Sequence, residues 1–171
     1  MAEVMVRPAE TGDLPGLMEL FGELERMQRD WRVFPLRPTF RQETEASFRS
    51  SLADPNAVLL IALDGERVVG GARGHVHKPS SFSHELAVEL SSVVVRPSHR
   101  NRGIARTMVG AVARFAAERG LRRVTLKTFA QNLQALEYWE GLGFQARIIQ
   151  MTAEALALAG DPAELDMERR A

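Results

Sequence analysis

The stretch from residue 93 to residue 119 constrains the fold more than any other part of the sequence. A β-branched run, Val93-Val94-Val95, predicts a buried strand, and Pro97 prevents its simple continuation. After a polar turn, apolar residues recur at helical spacing up to Gly120, a residue typical of a helix end: Ile104, Met108, Val112 and Phe115. A further strand at 124–128 follows. Two strands joined through a helix run parallel when they share a sheet, with a right-handed crossover.

The part of the chain before this unit predicts two helices and a hairpin. Met5–Pro8 is predicted as a first strand, and Thr11 as the cap of a helix with Asp13 and Pro15 in its first turn. Thr39 to Gln42 fits a capping box at the start of a second helix. Asp64-Gly65 predicts a hairpin turn between strands at 57–63 and 67–77.

The remaining predicted elements complete a mixed sheet. A long strand covers 85–95, a short helix covers 132–141, and a closing strand covers 144–151. The order is β-α-α-β-β-β-α-β-α-β, in which a hairpin-rich half precedes two βα units. This predicts an α/β fold of the mixed α+β kind, with a mostly antiparallel sheet and one parallel pair, and not a doubly wound sheet.

Bulk composition excludes several classes of function. The 171 residues carry a formal net charge of +0, so a global basic field for nucleic acid is absent. No cysteine is present, which excludes a disulfide framework, a thiolate zinc site and a cysteine nucleophile. Neither a signal peptide nor an apolar run of roughly 20 residues is found. We expect one cytoplasmic domain over 1–171, with a loose tail at about 158–171, and no membrane or nucleic-acid partner.

The turn before the long helix is the chemically informative segment. Backbone N–H groups at a helix start lack partners and, with the helix dipole, form an anion site. Gly103 allows the backbone to come close to a bulky phosphate, and Arg100, Arg102 and Arg106 add positive charge. A pyrophosphate fits this arrangement. The alternative is a solvated basic loop before an ordinary amphipathic helix.

These residues resemble a known family. The run Arg100-Asn101-Arg102-Gly103-Ile104-Ala105 is similar to the (Arg/Gln)-x-x-Gly-x-(Gly/Ala) signature of the GNAT superfamily of acyl-CoA N-acyltransferases. Other parts of the chain resemble the family in the right order: Val6-Arg7-Pro8-Ala9 with Asp13-Leu14, then Val95-Arg96-Pro97, and then Asn132, Ala135, Tyr138-Trp139 and Gly143-Phe144. The resemblance covers nearly the whole chain.

The resemblance implies a GNAT-like fold whose parallel strands splay apart to admit acetyl-CoA as cosubstrate, with no metal. The strand Val93-Val94-Val95 would pair through its backbone with the pantetheine arm. Backbone N–H groups of Arg100, Asn101, Arg102, Gly103, Ile104 and Ala105 would hold the pyrophosphate, with those of Arg106 and Thr107 as further candidates. Asn132 would orient the pantetheine or the helix that covers it, with simple helix capping as the alternative. Trp139 would line the cofactor pocket. The N–H of Val95 would stabilise the oxyanion.

Glu89 is the predicted catalytic base. Strand alternation predicts that Glu89, Ser91, Val93 and Val95 lie on one side of the strand. A polar residue on a half-exposed face is the alternative. Glu85 and His84 are weaker candidates for the base, and His75 and His77 are expected to be surface or acceptor-site histidines rather than a metal pair.

One departure from the family concerns the acid that protonates the leaving thiolate. The family often has a tyrosine at the position of Trp139, and an indole N–H is not a useful acid. Tyr138 is adjacent and should point elsewhere, since neighbouring helical side chains lie about 100° apart. The sequence therefore does not favour Tyr138 as the acid.

Three functions are compatible with parts of this sequence. The first is acetyl transfer from acetyl-CoA to a primary amine of a small molecule or protein, and the second is a CoA-binding module without turnover. A nucleic-acid binder using Arg96 and the turn arginines is the third, and neutral net charge opposes it. The acceptor site is expected to border the 29–38 and 78–84 loops, with Trp31, Phe34 and Phe82 as apolar contacts. A homodimer is left open.

Overall fold

A computed structural model of the chain describes residues 4–31, 35–78, 84–153, 155 and 158. The chain divides into two compact units, Met1–Phe129 and Ala130–Ala171. Among its described residues, the first unit contains five strands and three α-helices: β1 (Met5–Pro8), α1 (Leu14–Met27), α2 (Phe40–Ser51), β2 (Ala57–Asp64), β3 (Arg67–His77), β4 (Ala87–Val95), α3 (Ile104–Glu118) and β5 (Val124–Leu126). The second unit contains α4 (Leu133–Gly141). Within the described ranges, no helix has the length and apolar character needed to cross a bilayer.

The five strands form one sheet in the order β1-β2-β3-β4-β5. All neighbours are antiparallel except β4 and β5, which are parallel and are joined through α3. The predicted mixed sheet with one parallel pair is therefore confirmed. The hairpin at Asp64-Gly65 is also confirmed, because β2 ends at Asp64 and Gly65 has φ +60°.

Helices cover the two faces of the sheet. α1 and α2 lie on one face, where their apolar sides meet alternate residues of β2 in a buried cluster: Leu14, Leu17, Leu20, Phe48, Leu59, Ile61 and Leu63. α3 lies on the other face through Met108 and Val112, which are fully buried. Close packing of the helices against β3 requires glycine at one position on each side. A Cβ at Gly71 would lie 2.7 Å from Leu17 of α1, and a Cβ at Gly74 would lie 2.9 Å from Val112 of α3.

The helix starts differ from those predicted. Thr11 does not cap α1; a 3-10 turn at Thr11–Asp13 precedes the helix, and Glu10 and Asp13 cap that turn reciprocally. The Asp13 carboxylate also accepts two hydrogen bonds from Arg7. The capping box at the start of α2 does not form either. The Thr39 hydroxyl donates instead to the carboxylate of Glu43, 2.7 Å away.

The closing strand predicted at 144–151 is wrong, because these residues are neither helical nor extended in a strand. Ile148, Ile149 and Met151 are each more than 80% exposed, so these three apolar side chains, which suggested a strand, are not buried. Phe34, Phe82 and nearly all of the predicted tail at 158–171 lie outside the described residues.

Candidate functional site

The outer edge of β4 is open over its second half. β5 pairs with β4 only from Val88 to Leu90, whereas β4 continues to Val95. In the described part of the chain, residues 91–95 thus have a neighbouring strand on the β3 side only. A row of backbone groups without strand partners is a ready template for pairing with an extended ligand.

Two hydrogen bonds show which peptide groups face this open edge. The N–H of Val88 donates to the carbonyl of Arg123 on the β5 side, whereas the N–H of Arg96 donates to Val69 on the β3 side. Since peptide groups alternate along a strand, those of Val93 and Val95 point toward the open edge. The Nε of Arg100 also reaches the Val95 carbonyl, at 3.3 Å. Val94 differs from its neighbours, because its side chain lies in the buried cluster with α1.

The N–H groups of Val88 and Arg96 point to opposite sides of β4, although strict alternation would point them to the same side. A β-bulge at Ser91 causes this change. Leu90 pairs with Gly74 and Ser92 pairs with Arg73, which leaves Ser91 as the extra residue on β4. The bulge overturns the prediction that Glu89, Ser91, Val93 and Val95 share one side of the strand.

The two sides are identified by the partners of β3. Directly opposite residues share a face, so Glu89 lies with His75 and Arg73, whose Nε donates to Ser51 of α2 at 2.8 Å. Val95 lies opposite Gly70, where a Cβ would meet Met108 of α3 at 3.2 Å. Glu89 therefore faces the side of α1 and α2, while the side chains of Val93 and Val95 face α3.

The turn between β4 and α3 has the backbone of an anion site. Asn101 and Gly103 both have positive φ, at 59° and 77°. The first intrahelical hydrogen bond runs from the N–H of Thr107 to the Gly103 carbonyl, at 3.0 Å. The N–H groups of the three residues before Thr107, which begin the helix, precede that first bond. A Cβ placed on Gly103 would meet no described atom within 4 Å, so the space over the turn is open.

Asp64, at the β2–β3 hairpin, contacts two side chains of this turn. Its carboxylate lies 3.0 Å from Nε2 of His99 and 3.9 Å from Nη1 of Arg102. Nδ1 of His99 lies 2.9 Å from the hydroxyl of Ser98. The sequence does not point to Asp64 or His99 as residues of this turn. The Asp64-Gly65 pair has a sufficient explanation as a hairpin signal, and nothing in the sequence connects it with His99.

Arg96 is a structural residue rather than a surface charge. It is only 5% exposed, and its Nε donates to the Val68 carbonyl at 3.0 Å. Its guanidinium also pairs with Glu19 at 2.9 Å and with Glu23, both on α1. A nucleic-acid site that depends on Arg96 is thus contradicted, and Arg96 instead ties α1 to the end of β4.

Glu89 is held in a cluster of polar side chains on β3, β4 and β5. Its side chain is 15% exposed, with one carboxylate oxygen 3.3 Å from Nδ1 of His77 and the other 3.6 Å from Nζ of Lys127. Nε2 of His77 lies 2.9 Å from the hydroxyl of Thr125. The rival base candidates His84 and Glu85 precede β4 and are exposed, and Glu85 pairs with Arg123 at 3.3 Å.

His75 lies beside this cluster, with its ring centroid 5.8 Å from that of His77. Burial, and then the positive charge of Arg73, lower the pKa of the His75 imidazole, and Glu89 opposes the shift only in part. Its Nδ1 is buried and has no hydrogen-bond partner within the described ranges. Across those same ranges, no group of three or more His, Asp or Glu side chains could hold a metal ion.

The second unit contains the other predicted cofactor residues. The Oδ1 of Asn132 accepts a hydrogen bond from the N–H of Ala135 at 3.2 Å, so Asn132 caps α4. Trp139 packs edge-on against Tyr138 and Phe144, with ring centroids 5.0 Å and 5.6 Å apart. Tyr138 is 36% exposed.

Comparison with known families gives a match that includes both units. The sequence profile of the acetyltransferase (GNAT) family matches residues 24–144, which is more than half of the chain. The chain belongs to this family. The match includes the open edge of β4, the turn before α3 and the whole of α4.

Relatives of this member of the GNAT family include N-acetyltransferase 8B of Rattus norvegicus, 34% identical over 98 residues, which are 57% of this chain and 43% of the relative. Mycothiol acetyltransferase of Amycolatopsis mediterranei is 31% identical over 105 residues, which are 60% of this chain and 35% of the relative. The chain thus matches less than half the length of these relatives. A solved aminoglycoside N-acetyltransferase, AAC(6')-Iy in complex with CoA, shares the fold with a TM-score of 0.72 at 19% identity, covering 91% of this chain and 97% of that one.

Proposed function

We propose that this chain is an acetyl-CoA-dependent N-acetyltransferase that transfers the acetyl group to a primary amine of a small molecule or protein by direct attack in a ternary complex. The observation that carries the proposal is the open edge of β4 leading directly into the positive-φ turn at the start of α3. The edge offers peptide groups to an extended chain, and the turn offers N–H groups to a phosphate. CoA has both parts in that order.

The residues fit the two parts of CoA in different ways. The peptide groups of Val93 and Val95 face the open edge and suit the amides of pantetheine. The N–H groups at the start of α3 suit the pyrophosphate, and the open space over Gly103 leaves room for it. Arg100, Arg102 and Arg106 supply positive charge. Asn132 and Trp139 stay predictions for the cofactor site.

The chemistry is aminolysis of a thioester. An alkyl amine has a pKa of about 10.4, so near pH 7 it is mostly protonated and must lose a proton before it attacks. The carbonyl oxygen becomes negative as the amine nitrogen bonds to the carbonyl carbon. The N–H of Val95 faces the open edge and is our candidate donor to that oxygen. The C–S bond then breaks and CoA leaves as thiolate.

Glu89 is our candidate for the group that drives proton removal, directly or through intermediaries. It is mostly buried on the α1 and α2 side of the sheet, immediately before the bulge that begins the open edge. A carboxylate there attracts a protonated amine as well as favouring its deprotonation. Trp31, which we expect to contact the acceptor, lies in the same unit as Glu89. Its ring lies 6.2 Å from that of Phe129, a residue beyond the end of β5.

The test combines thiol release with binding. The protein is incubated with acetyl-CoA and a panel of amines (benzylamine, spermidine, lysine ethyl ester and a peptide with a free amino terminus), and the release of free CoA thiol is measured. The affinity of the protein for acetyl-CoA is measured separately by calorimetry. We expect Glu89→Gln to leave affinity within about twofold while turnover falls by roughly 10²–10⁴, the usual size of a general-base contribution. Glu85→Gln is the matched control, since it removes an exposed carboxylate four residues earlier.

Three outcomes would contradict parts of the proposal. Full turnover in Glu89→Gln would exclude Glu89, and a loss in Glu85→Gln instead would place the base before β4. Acetyl-CoA binding without thiol release for any amine would support a CoA-binding module without turnover.

A further inference from the structure

Three side chains on neighbouring strands form a row of hydroxyl, imidazole and carboxylate. These are Thr125 on β5, His77 on β3 and Glu89 on β4, and we call them the relay row. The Thr125 hydroxyl lies 2.9 Å from Nε2 of His77, and Nδ1 of His77 lies 3.3 Å from the Glu89 carboxylate. The strand register brings them together, because Glu89 pairs with Thr125 on one side and lies opposite His75, two residues from His77, on the other.

The two contacts of His77 fit one neutral tautomer. A carboxylate only accepts, so a hydrogen bond from His77 to Glu89 requires a proton on Nδ1. A neutral imidazole with a proton on Nδ1 has a lone pair on Nε2, which therefore accepts from the Thr125 hydroxyl. The oxygen of Thr125 keeps its own lone pairs available for a further donor, such as an ammonium group.

Glu89 contacts two basic side chains. One of its oxygens faces Nδ1 of His77 at 3.3 Å and the other faces Nζ of Lys127 at 3.6 Å. An imidazole is in general a stronger base than a carboxylate by about two pKa units. The relay row therefore has its better proton acceptor in the middle and an anion behind it, as in a serine–histidine–aspartate triad.

We propose that Thr125 and His77 move the proton of the acceptor amine, while Glu89 acts as a positioning residue. The inference rests on the proposed acetyl transfer. One N–H bond of the ammonium breaks as an O–H bond forms on Thr125, and the original O–H bond of Thr125 breaks as an N–H bond forms on Nε2 of His77. Thr125 is unchanged at the end. The imidazolium, stabilised by Glu89, returns its proton to water.

Other charged groups face the relay row from the elements around it. Arg73 and His75 lie on the same face of β3, and Lys127 follows β5. Arg73 and Lys127 are positively charged, Glu89 is negatively charged, and His75 can titrate in the same pH range. The pH dependence of turnover alone would thus mix several groups, so the experiment relies on matched variants and on the tautomer of His77.

The variants Thr125→Val and Thr125→Ser form the matched pair. Valine keeps the shape of threonine without the hydroxyl, and serine keeps the hydroxyl. Using the amine of the panel that gives the fastest thiol release, we expect Thr125→Val to lose at least about a hundredfold in kcat, within the range for proton-transfer catalysis. We expect Thr125→Ser to stay within about threefold of the parent protein. Acetyl-CoA affinity should be unchanged in both.

Combining Thr125→Val with Glu89→Gln should cost little more than either change alone, because residues that act as a unit are not additive. Full turnover in Thr125→Val with a loss in Glu89→Gln would overturn the relay and leave the proposed acetyl transfer standing. Independent losses that multiply in the double variant would also overturn it.

Nitrogen-15 NMR of the histidine rings tests the relay row without any acceptor. We expect the Nδ1–H tautomer for His77, and a shift toward Nε2–H in Glu89→Gln while acetyl-CoA affinity is retained. An Nε2–H tautomer in the parent protein would overturn the relay. Absence of transfer to every amine would instead count against the proposed function, so the two failures are distinguishable.

Discussion

Replacing Gly103 tests the anion-binding turn, and the other end of the same helix provides the control. Gly103 precedes α3 with φ +77°, and Gly120 follows it with φ +69°. A Cβ at either position would meet no described atom within 4 Å. Neither alanine substitution therefore creates a clash in the protein itself, and the cost of each is the left-handed backbone conformation alone.

The structure sets the expected magnitudes. An L-residue in the left-handed region costs roughly 1–2 kcal/mol. For a chain of this size each kcal/mol shifts Tm by about 2–4 °C, so Gly103→Ala and Gly120→Ala should both lower Tm by roughly 2–8 °C. Only the change at Gly103 puts a methyl group into the space assigned to the pyrophosphate. We expect acetyl-CoA affinity to fall in Gly103→Ala, and to fall at least tenfold in Gly103→Val, which corresponds to about 1.4 kcal/mol.

Calorimetry with acetyl-CoA and thermal melts of the same samples separate the two effects. Gly120→Ala should bind acetyl-CoA as the parent protein does, despite a similar loss of Tm. The assignment of the turn would be refuted by a folded Gly103→Val variant with unchanged affinity. It would equally be refuted if Gly120→Ala lost as much affinity as Gly103→Ala, since the loss would then follow stability and not position.

Two further predictions concern an aromatic and a histidine. Because Trp139 occupies the position expected for an acid, Tyr138→Phe should barely change turnover, and a hundredfold loss would show that Tyr138 is the acid after all. Because the pKa of His75 is lowered in the folded protein, the unfolded chain binds a proton at higher pH than the folded one does, and stability falls as pH drops below the ordinary histidine range. Urea denaturation between pH 7 and pH 5 should therefore show a smaller loss of stability in His75→Gln than in the parent protein.

The regular elements of the first unit could be predicted because each has a local cause. The bounds of β1 and β3 agree with those predicted, and α3 begins directly after Gly103. The absence of a strand at 144–151 could not be predicted from local sequence. Apolar residues form a strand only where a neighbouring strand pairs with their backbone and a core buries their side chains.

The candidate site was predicted less completely, because its key contacts are long-range. Arg96 follows the strand as a surface arginine would, and only the glutamates of α1, more than 70 positions away in sequence, explain its burial. Asp64 was correctly placed in a hairpin turn, but its contact with His99 depends on how two loops approach in space. The relay row likewise joins residues 77, 89 and 125, which no sequence spacing connects.

The bulge at Ser91 determines which groups each ligand can reach. The N–H of Val88 points toward β5. Without the extra residue, every second peptide group after Val88 would also point that way, so that Val94 rather than Val95 would face the open edge. With the bulge, Val93 and Val95 turn their peptide groups to that edge and their side chains to α3, while Glu89 faces α1 and α2. The backbone that we assign to the cofactor and the relay row that we assign to the amine therefore act from different sides of β4. Such an arrangement requires the amine to approach the thioester from the side of α1 and α2, where Arg96 fixes α1 against the end of the same strand.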